Sequence, residues 1–180
     1  MWEVKIVRDS GVSGANFRAM LIRAATMDDW PYIWAIIAPV IRGAETYALD
    51  PAMTEDEARS YWMAADKDCF VAADDAGVIL GTYYLRTNQP GGGSHICNCG
   101  YMTSEEARGK GVAKTMCLHS LDHAKARGFE GMQFNFVVST NEGAIDLWQK
   151  LGFAIVGRLP GAFRHPTLGK VDALVMFREI

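Results

Sequence analysis

Residues 101–113 read YMTSEEARGKGVA, and this stretch predicts a strand, a polar turn and the start of a helix in immediate succession. The predicted helix continues to about Arg127, because apolar residues recur on one face at helical spacing and Gly128 follows as a stop signal. Two glycines, Gly109 and Gly111, stand directly before its first turn. A strand that passes through a glycine loop into an amphipathic helix is typical of a mixed α/β domain.

The glycine loop predicts a binding site for an anion. The first N–H groups of a helix have no partner inside the helix, and glycines let the backbone bring such donors close to a ligand. Arg108 and Lys110 add their charge to the positive end of the helix dipole, so the loop suits a pyrophosphate. The alternative is that the glycines only permit a turn and that both cations are solvated.

Two other nucleotide-binding motifs are excluded by single residues. A Walker loop requires glycine before Lys-Ser/Thr, but Ala113 precedes Lys114 and Thr115. A dinucleotide fingerprint requires a third glycine at the position of Lys114. The loop is therefore neither a P-loop nor a Rossmann loop.

The rest of the chain alternates between strand-like and helix-like segments. Strands are predicted at 19–24, 69–74, 78–85, 95–103, 132–138, about 153–158 and 171–178. Helices are predicted after a cap at Asp28, after a capping box at Thr54, over 111–127 and after a cap at Asn141. The order β-α-α-β-β-β-α-β-α-β-β predicts one mixed α/β domain over residues 19–180. Residues 1–18 are predicted to be an N-terminal appendage or an extra strand.

A second informative segment, residues 141–153, reads NEGAIDLWQKLGF. This segment and the hexapeptide RGKGVA at 108–113 resemble the two signature motifs of the GNAT N-acetyltransferase superfamily, Asn-x-x-Ala-x-x-Leu-Tyr-x-Lys-x-Gly-Phe and Arg/Gln-x-x-Gly-x-Gly/Ala. The resemblance covers about residues 19–180. It implies the GNAT fold, a central mixed, mostly antiparallel twisted sheet with helices on both faces. It also implies acetyl-CoA as co-substrate and some similarity to acetyltransferases of amino acids, proline analogues and phosphinothricin-like compounds.

The same resemblance implies a set of cofactor-binding residues. The strand ending at Thr103 is expected to diverge from its neighbour, so that the pantetheine arm pairs with the backbone of Tyr101, Met102 and Thr103. The pyrophosphate is expected on the loop formed by Arg108, Gly109, Lys110, Gly111, Val112 and Ala113. Asn141 is expected near the thioester, and a backbone N–H close to Met102 is expected to donate to the oxyanion of the tetrahedral intermediate.

Two positions depart from the family pattern. Trp148 replaces the tyrosine that many members are thought to use as the acid for the thiolate, and an indole N–H donates a hydrogen bond without being an acid near pH 7. Asn98 replaces a glutamate base. With Asn135 and Asn141 it is predicted to form an amide-rich site for a zwitterionic substrate. The alternatives are that Trp148 is a core residue and that Asn135 is a satisfied core amide.

Further acceptor-site candidates come from two other segments. Glu45 lies between the first two predicted helices, where this family lines its acceptor site, although a solvated loop carboxylate is the alternative. Arg164 lies in a predicted loop before the last strand and is a candidate for holding a substrate carboxylate. His119 and His123 are one helical turn apart but lack a third ligand nearby, so no metal site is predicted.

Composition limits the remaining functions. The net charge of −3 argues against nucleic-acid binding, and no apolar run reaches the ~20 residues that a membrane span requires. Four cysteines without a C-x-x-C pair predict free thiols, with Cys97 and Cys99 as buried apolar residues in a cytoplasmic protein. The leading hypothesis is an enzyme that acetylates a primary or secondary amine of a small molecule by direct attack in a ternary complex. The alternatives are a protein or peptide N-acetyltransferase and a non-catalytic acyl-CoA sensor, and a homodimer through an edge strand would fit either enzyme.

Overall fold

The computed structural model describes residues 5–6 and 20–180. Its strands are β1 (Lys5–Ile6), β2 (Leu21–Ala24), β3 (Lys67–Ala73), β4 (Ile79–Thr87), β5 (Ile96–Thr103), β6 (Gly131–Val138), β7 (Ala154–His165) and β8 (Gly169–Glu179). Its α-helices are α1 (Trp30–Gly43), α2 (Glu55–Trp62), α3 (Val112–Ala126) and α4 (Glu142–Lys150). From residue 20 onward this is the predicted element order.

The strands form one mixed sheet in the order β1-β2-β3-β4-β5-β6-β8-β7. Every neighbouring pair is antiparallel except β5 and β6, which run parallel. The parallel pair is possible because α3 carries the chain from the end of β5 back to the start of β6. The predicted mixed, mostly antiparallel sheet is confirmed.

Helices cover both faces of the sheet, as predicted. Successive residues of a strand point to opposite faces, and in β4 Tyr83 and Leu85 pack with the buried side chains of α3 and α4. Tyr84 lies between them in sequence and packs instead with the buried side chains of α1 and α2. The sheet therefore separates two hydrophobic cores.

The two predicted N-terminal caps before α1 and α2 have different outcomes. Thr54 and Glu57 form the expected capping box, in which the Thr54 N–H donates to Glu57 Oε2 at 2.8 Å and Thr54 Oγ1 accepts from the Glu57 N–H. The prediction of Asp28 as the cap of α1 is wrong by one residue. Asp29 is the buried carboxylate there, accepting from the Thr26 N–H and pairing with Arg23 at 2.7 Å.

The hairpin of β7 and β8 is longer than predicted. The strand predicted at about 153–158 continues through Pro160 and Gly161 to His165, and Phe163 pairs with Val171. The sheet tolerates this proline because β7 is an edge strand and the register shifts between Leu159 and Phe163. Arg164 therefore lies in a strand and not in a loop.

The predicted appendage at residues 1–18 is described only at β1, which pairs with β2 through Lys5–Ile22 and Ile6–Leu21. The rest of that segment lies outside the described residues. Within the described ranges, none of the helices has the length and apolar character that crossing a membrane requires.

Candidate active site

The sheet opens between β5 and β6. Backbone pairing between these strands joins Ile96 to Gly131 and Cys97 to Met132 and goes no further. At the next position the Asn98 side-chain Nδ2 donates to the Gln133 carbonyl at 2.8 Å. Beyond this contact the two strands diverge, as the sequence resemblance implied.

A cavity of about 260 Å³ lies in this opening. Its walls come from residues 46–49 after α1, from α2, from the second halves of β4 and β5, from β6 and from the first turns of α4. Six parts of the chain thus converge at the place where the sheet splits. Such a concave site at a strand divergence is a typical location for a ligand.

The loop from β5 into α3 has the geometry of an anion site. Gly109 and Gly111 have φ values of +73° and +76°, in the left-handed region that favours glycine, and α3 begins at Val112. The backbone N–H groups of Gly111, Val112 and Ala113 have no hydrogen-bond partner among the described residues. Arg108 and Lys110 are exposed beside them. These donors and charges can hold a diphosphate.

The end of β5 presents its backbone to the opening. The Tyr47 hydroxyl, from the loop after α1, donates to the Tyr101 carbonyl at 2.9 Å. The Tyr101 ring lies 5.2 Å from Trp148 of α4, and its hydroxyl contacts Ser120 Oγ at 2.6 Å. Met102 turns its side chain into the core under α1 and α2.

The structure brings the three predicted asparagines together. Asn98, Asn135 and Asn141 all line the cavity. The Asn135 side chain donates to Asn88 Oδ1 and accepts from Gln133 Nε2, both at 2.7 Å, so its amide is hydrogen-bonded on both sides as the core-amide alternative expected. Asn141 occupies the N-cap position of α4, but its side chain does not cap the helix, which corrects the sequence prediction.

Three tyrosines and one cysteine in the cavity wall keep their protons at neutral pH. The described lining contains neither a carboxylate nor a histidine. Burial raises the pKa of Tyr47, Tyr84 and Tyr101 well above the ordinary tyrosine value, and it raises that of the Cys99 thiol. The lining thus offers hydrogen-bond donors but no side chain suited to act as a base near pH 7.

Two predicted substrate residues lie elsewhere. Glu45 is exposed and is not among the lining residues, although its neighbours Thr46 and Tyr47 are. Arg164 is exposed in β7 and likewise does not line the cavity. The structure brings neither residue to the three asparagines.

Two cysteines and two histidines singled out by the sequence make contacts inside the fold. Cys97 and Cys99 are buried free thiols, as predicted. His119 Nδ1 contacts the Tyr83 hydroxyl at 2.6 Å, and His123 Nε2 contacts Asp68 at 2.9 Å. In the part of the chain that is described, no three His, Cys, Asp or Glu residues are grouped to hold a metal ion.

Sequence reasoning missed several polar lining residues, among them Tyr47, Tyr84 and Arg86. Tyr47 reaches Tyr101 across 54 positions, a contact without a local signal. Tyr84 and Arg86 alternate along β4 and share the face that lines the cavity. The alternation in the sequence TYYLRT at 82–87 is the signal that could have placed Arg86 beside Tyr84.

Known proteins resemble this chain in sequence and in fold. A model of the acetyltransferase (GNAT) family matches residues 29–153. An N-acetyltransferase, aca1, from Schizosaccharomyces pombe is 32% identical over an alignment covering 75% of this chain and 72% of that protein. A GCN5-related N-acetyltransferase from Kribbella flavida superposes with a TM-score of 0.86 at 40% identity, covering 89% and 98% of the two chains.

A GNAT phosphinothricin acetyltransferase from Sinorhizobium meliloti, solved in complex with acetyl-CoA, has the same fold, with a TM-score of 0.78 at 23% identity, covering 89% of this chain and 88% of that one. The family match spans both the glycine loop and the opening between β5 and β6. The chain belongs to the GNAT acetyltransferase family and is an N-acetyltransferase.

Proposed function

We propose that this enzyme transfers the acetyl group of acetyl-CoA to a primary or secondary amine of a small molecule, an amino acid or an amino-acid analogue. The observation that carries the proposal is the cavity of about 260 Å³ lined by three asparagines at the split of the sheet. Amides can bind a zwitterion by donating to its carboxylate and accepting from its amine. A cavity of this size suits a small acceptor better than a folded protein surface.

The cofactor is proposed to lie along β5. The loop residues Arg108–Ala113 hold its diphosphate, and the backbone of Tyr101, Met102 and Thr103 pairs with the pantetheine arm. This assignment is supported by the N–H groups at the start of α3, which have no hydrogen-bond partner among the described residues, and by the missing β6 partner beyond Cys97. The thioester then lies near Asn141, with a backbone N–H close to Met102 as oxyanion donor.

The reaction proceeds by direct attack in a ternary complex. The neutral amine adds to the thioester carbonyl, the C–N bond forms, the C–S bond breaks, and coenzyme A leaves as a thiolate. The amine proton passes to water, and the thiolate takes a proton from solvent. A thiol pKa of ~8.5 makes this departure feasible without a strong acid. Hydrogen bonds from Asn141 or a neighbouring tyrosine stabilise the sulfur, since Trp148 cannot act as the acid.

A cytoplasmic homodimer fits the same proposal. All four cysteines are free thiols, as in a reducing compartment. The edge strand β7 exposes Ile155, Val156 and Leu159 at 43, 58 and 40% of their surface. Pairing through this edge would cover them.

A panel of amines tests the reaction. Purified enzyme is incubated with acetyl-CoA and each amine, thiol release is followed with a chromogenic reagent, and the product is identified by mass spectrometry. The proposal expects N-acetylated product equimolar with released thiol for at least one small amine. Release only with peptides would indicate a protein acceptor. Tight acetyl-CoA binding without release for any amine would indicate a sensor and would contradict the proposal.

A further inference from the structure

We propose that Arg86 selects acceptors that carry a carboxylate, by binding that group in the cavity beside Asn98. This inference rests on the proposed function, because it names the chemical group that the acceptor presents besides its amine. It replaces Arg164, which the sequence suggested for this role.

Arg86 is placed at the cavity by the register of the sheet. It lies directly opposite Asn98 across the antiparallel pair of β4 and β5, so the two side chains share a face. Both residues line the cavity. Among the described lining residues, Arg86 is the one charged side chain. A ligand in this cavity therefore meets a single formal charge, and that charge is positive.

The guanidinium of Arg86 has hydrogen-bonding capacity that the protein does not use. Its Nε is buried and makes no hydrogen bond. Its Nη1 lies 3.9 Å from Asp66 Oδ2, at the limit of an ion pair, and Asp66 is 61% exposed. A buried unpaired donor costs free energy, so the protein alone does not satisfy this guanidinium. The side chain of Arg86 is 34% exposed and thus accessible to such a ligand.

The surroundings leave positive charge in excess. Lys67 lies opposite Arg86 on β3, 3.7 Å from the same Asp66, and donates to the Tyr61 carbonyl. Burial lowers the pKa of Lys67, and the charge of Arg86 lowers it further. Two cations thus share one exposed carboxylate. A second carboxylate, brought by the acceptor, would balance them.

The chemistry favours a carboxylate over other groups. A planar guanidinium donates two parallel hydrogen bonds to a carboxylate, and the neighbouring amide of Asn98 offers polar atoms without competing charge. An ammonium without an accompanying anion would meet Arg86 with no opposing charge on the described cavity wall. Acceptors that are purely cationic are therefore disfavoured.

Matched acceptors test the proposal. Each common α-amino acid is paired with its α-carboxamide, and kcat/KM is measured for both with the wild type, Arg86→Ala, Arg86→Lys and Arg59→Ala. The ratio of acid to amide is compared between proteins, so that the different amine pKa values of the two acceptors cancel. Arg59 is the control because it lies in α2, is exposed at the surface and pairs with Asp56. Melting temperature and acetyl-CoA affinity check that each variant is folded.

Arg86→Ala is expected to lower the acid-to-amide ratio roughly 10- to 100-fold, the range for losing charge-assisted hydrogen bonds. The ratio for Arg86→Lys should lie between those of Arg86→Ala and the wild type. The ratio for Arg59→Ala should equal that of the wild type. An unchanged ratio in a folded Arg86→Ala protein would overturn the proposal. Calorimetric titration of the coenzyme A-loaded protein with each amino acid and its carboxamide compares their binding constants in the same variants without turnover. A preference for the acid that depends on Arg86, without turnover of any amine, would therefore support Arg86 while refuting the proposed reaction.

Discussion

The Asn98 side chain donates to the Gln133 carbonyl at 2.8 Å, at the first position where β5 and β6 no longer pair. The side-chain amide thus takes the place of the next backbone hydrogen bond of the ladder. It satisfies the Gln133 carbonyl while the strands separate. A family position that commonly holds a base therefore helps in this protein to set where the cavity opens.

Loss of this bond should destabilise the fold. Asn98→Ala leaves the Gln133 carbonyl without its donor, and the free energy of unfolding should fall by about 1–2 kcal/mol. Asn98→Asp should cost more, because an ionised carboxylate would face the carbonyl oxygen. Urea unfolding of the three proteins measures both effects. Equal stability of Asn98→Ala and the wild type would show that the bond does not hold the strands.

Asn135 should affect the acceptor and not the cofactor. Asn135→Ala removes a polar group from the cavity, so KM for the acceptor should rise or kcat should fall, by roughly 2- to 10-fold for one hydrogen bond. Acetyl-CoA affinity should stay unchanged. Asn88→Ala is the matched variant, since it removes only the partner of the Asn135 amide and should have a smaller effect. Unchanged kinetics in Asn135→Ala would show that Asn135 is a core amide and does not bind the acceptor.

The pH profile should follow the acceptor amine. The described lining holds no carboxylate or histidine, and burial raises the pKa values of Tyr47, Tyr84 and Tyr101, so these tyrosines stay protonated through neutral pH. The value of log kcat/KM should then rise by about one per pH unit until the pKa of the free amine is reached. The pH profiles measured with two acceptors of different amine pKa should level off at different pH values. A common plateau beginning near pH 7 would reveal a base in the enzyme.

The Arg23–Asp29 pair should stabilise the fold in a pH-dependent way. Hydrogen bonds from Arg23 lower the pKa of Asp29 from 3.8 to about 2, and the pair stabilises the folded state by about 1 kcal/mol, because Arg23 is partly exposed and solvent screens its charge. A lowered pKa in the folded state means that this stabilisation is complete above pH ~4 and is lost as the pH falls towards 2. Asp29→Asn should therefore be less stable than the wild type at pH 7, and the difference should shrink below pH 4. A difference independent of pH would contradict the assignment.

The sequence predicts most of this fold because its signals are local. Helical spacing, the Thr54 capping box and Gly128 locate elements without any long-range knowledge. The error at β7 has the opposite cause. Pro160 and Gly161 carry a genuine turn signal, and only the position of β7 at the sheet edge makes that signal compatible with a strand.

The site was less accessible to sequence reasoning because its contacts are distant in the chain. The three asparagines were found through the family resemblance. Tyr47 and Arg86 depend on how the loop after α1 folds over β5 and on the register of β4 against β5. The sequence shows that a strand carries a charged residue, but the pairing and register of the sheet determine which cavity that residue faces.

The central claim is that the N–H groups at the start of α3 hold the diphosphate of coenzyme A, and isothermal titration calorimetry tests it directly. The folded protein is titrated with coenzyme A and, separately, with pantetheine, which lacks the diphosphate together with the 3′-phosphoadenosine. Coenzyme A should bind with a measurable constant, and pantetheine should bind roughly 100-fold more weakly or not at all, because several charge-assisted hydrogen bonds are lost. No binding of coenzyme A, or equal binding of both compounds, would contradict the account.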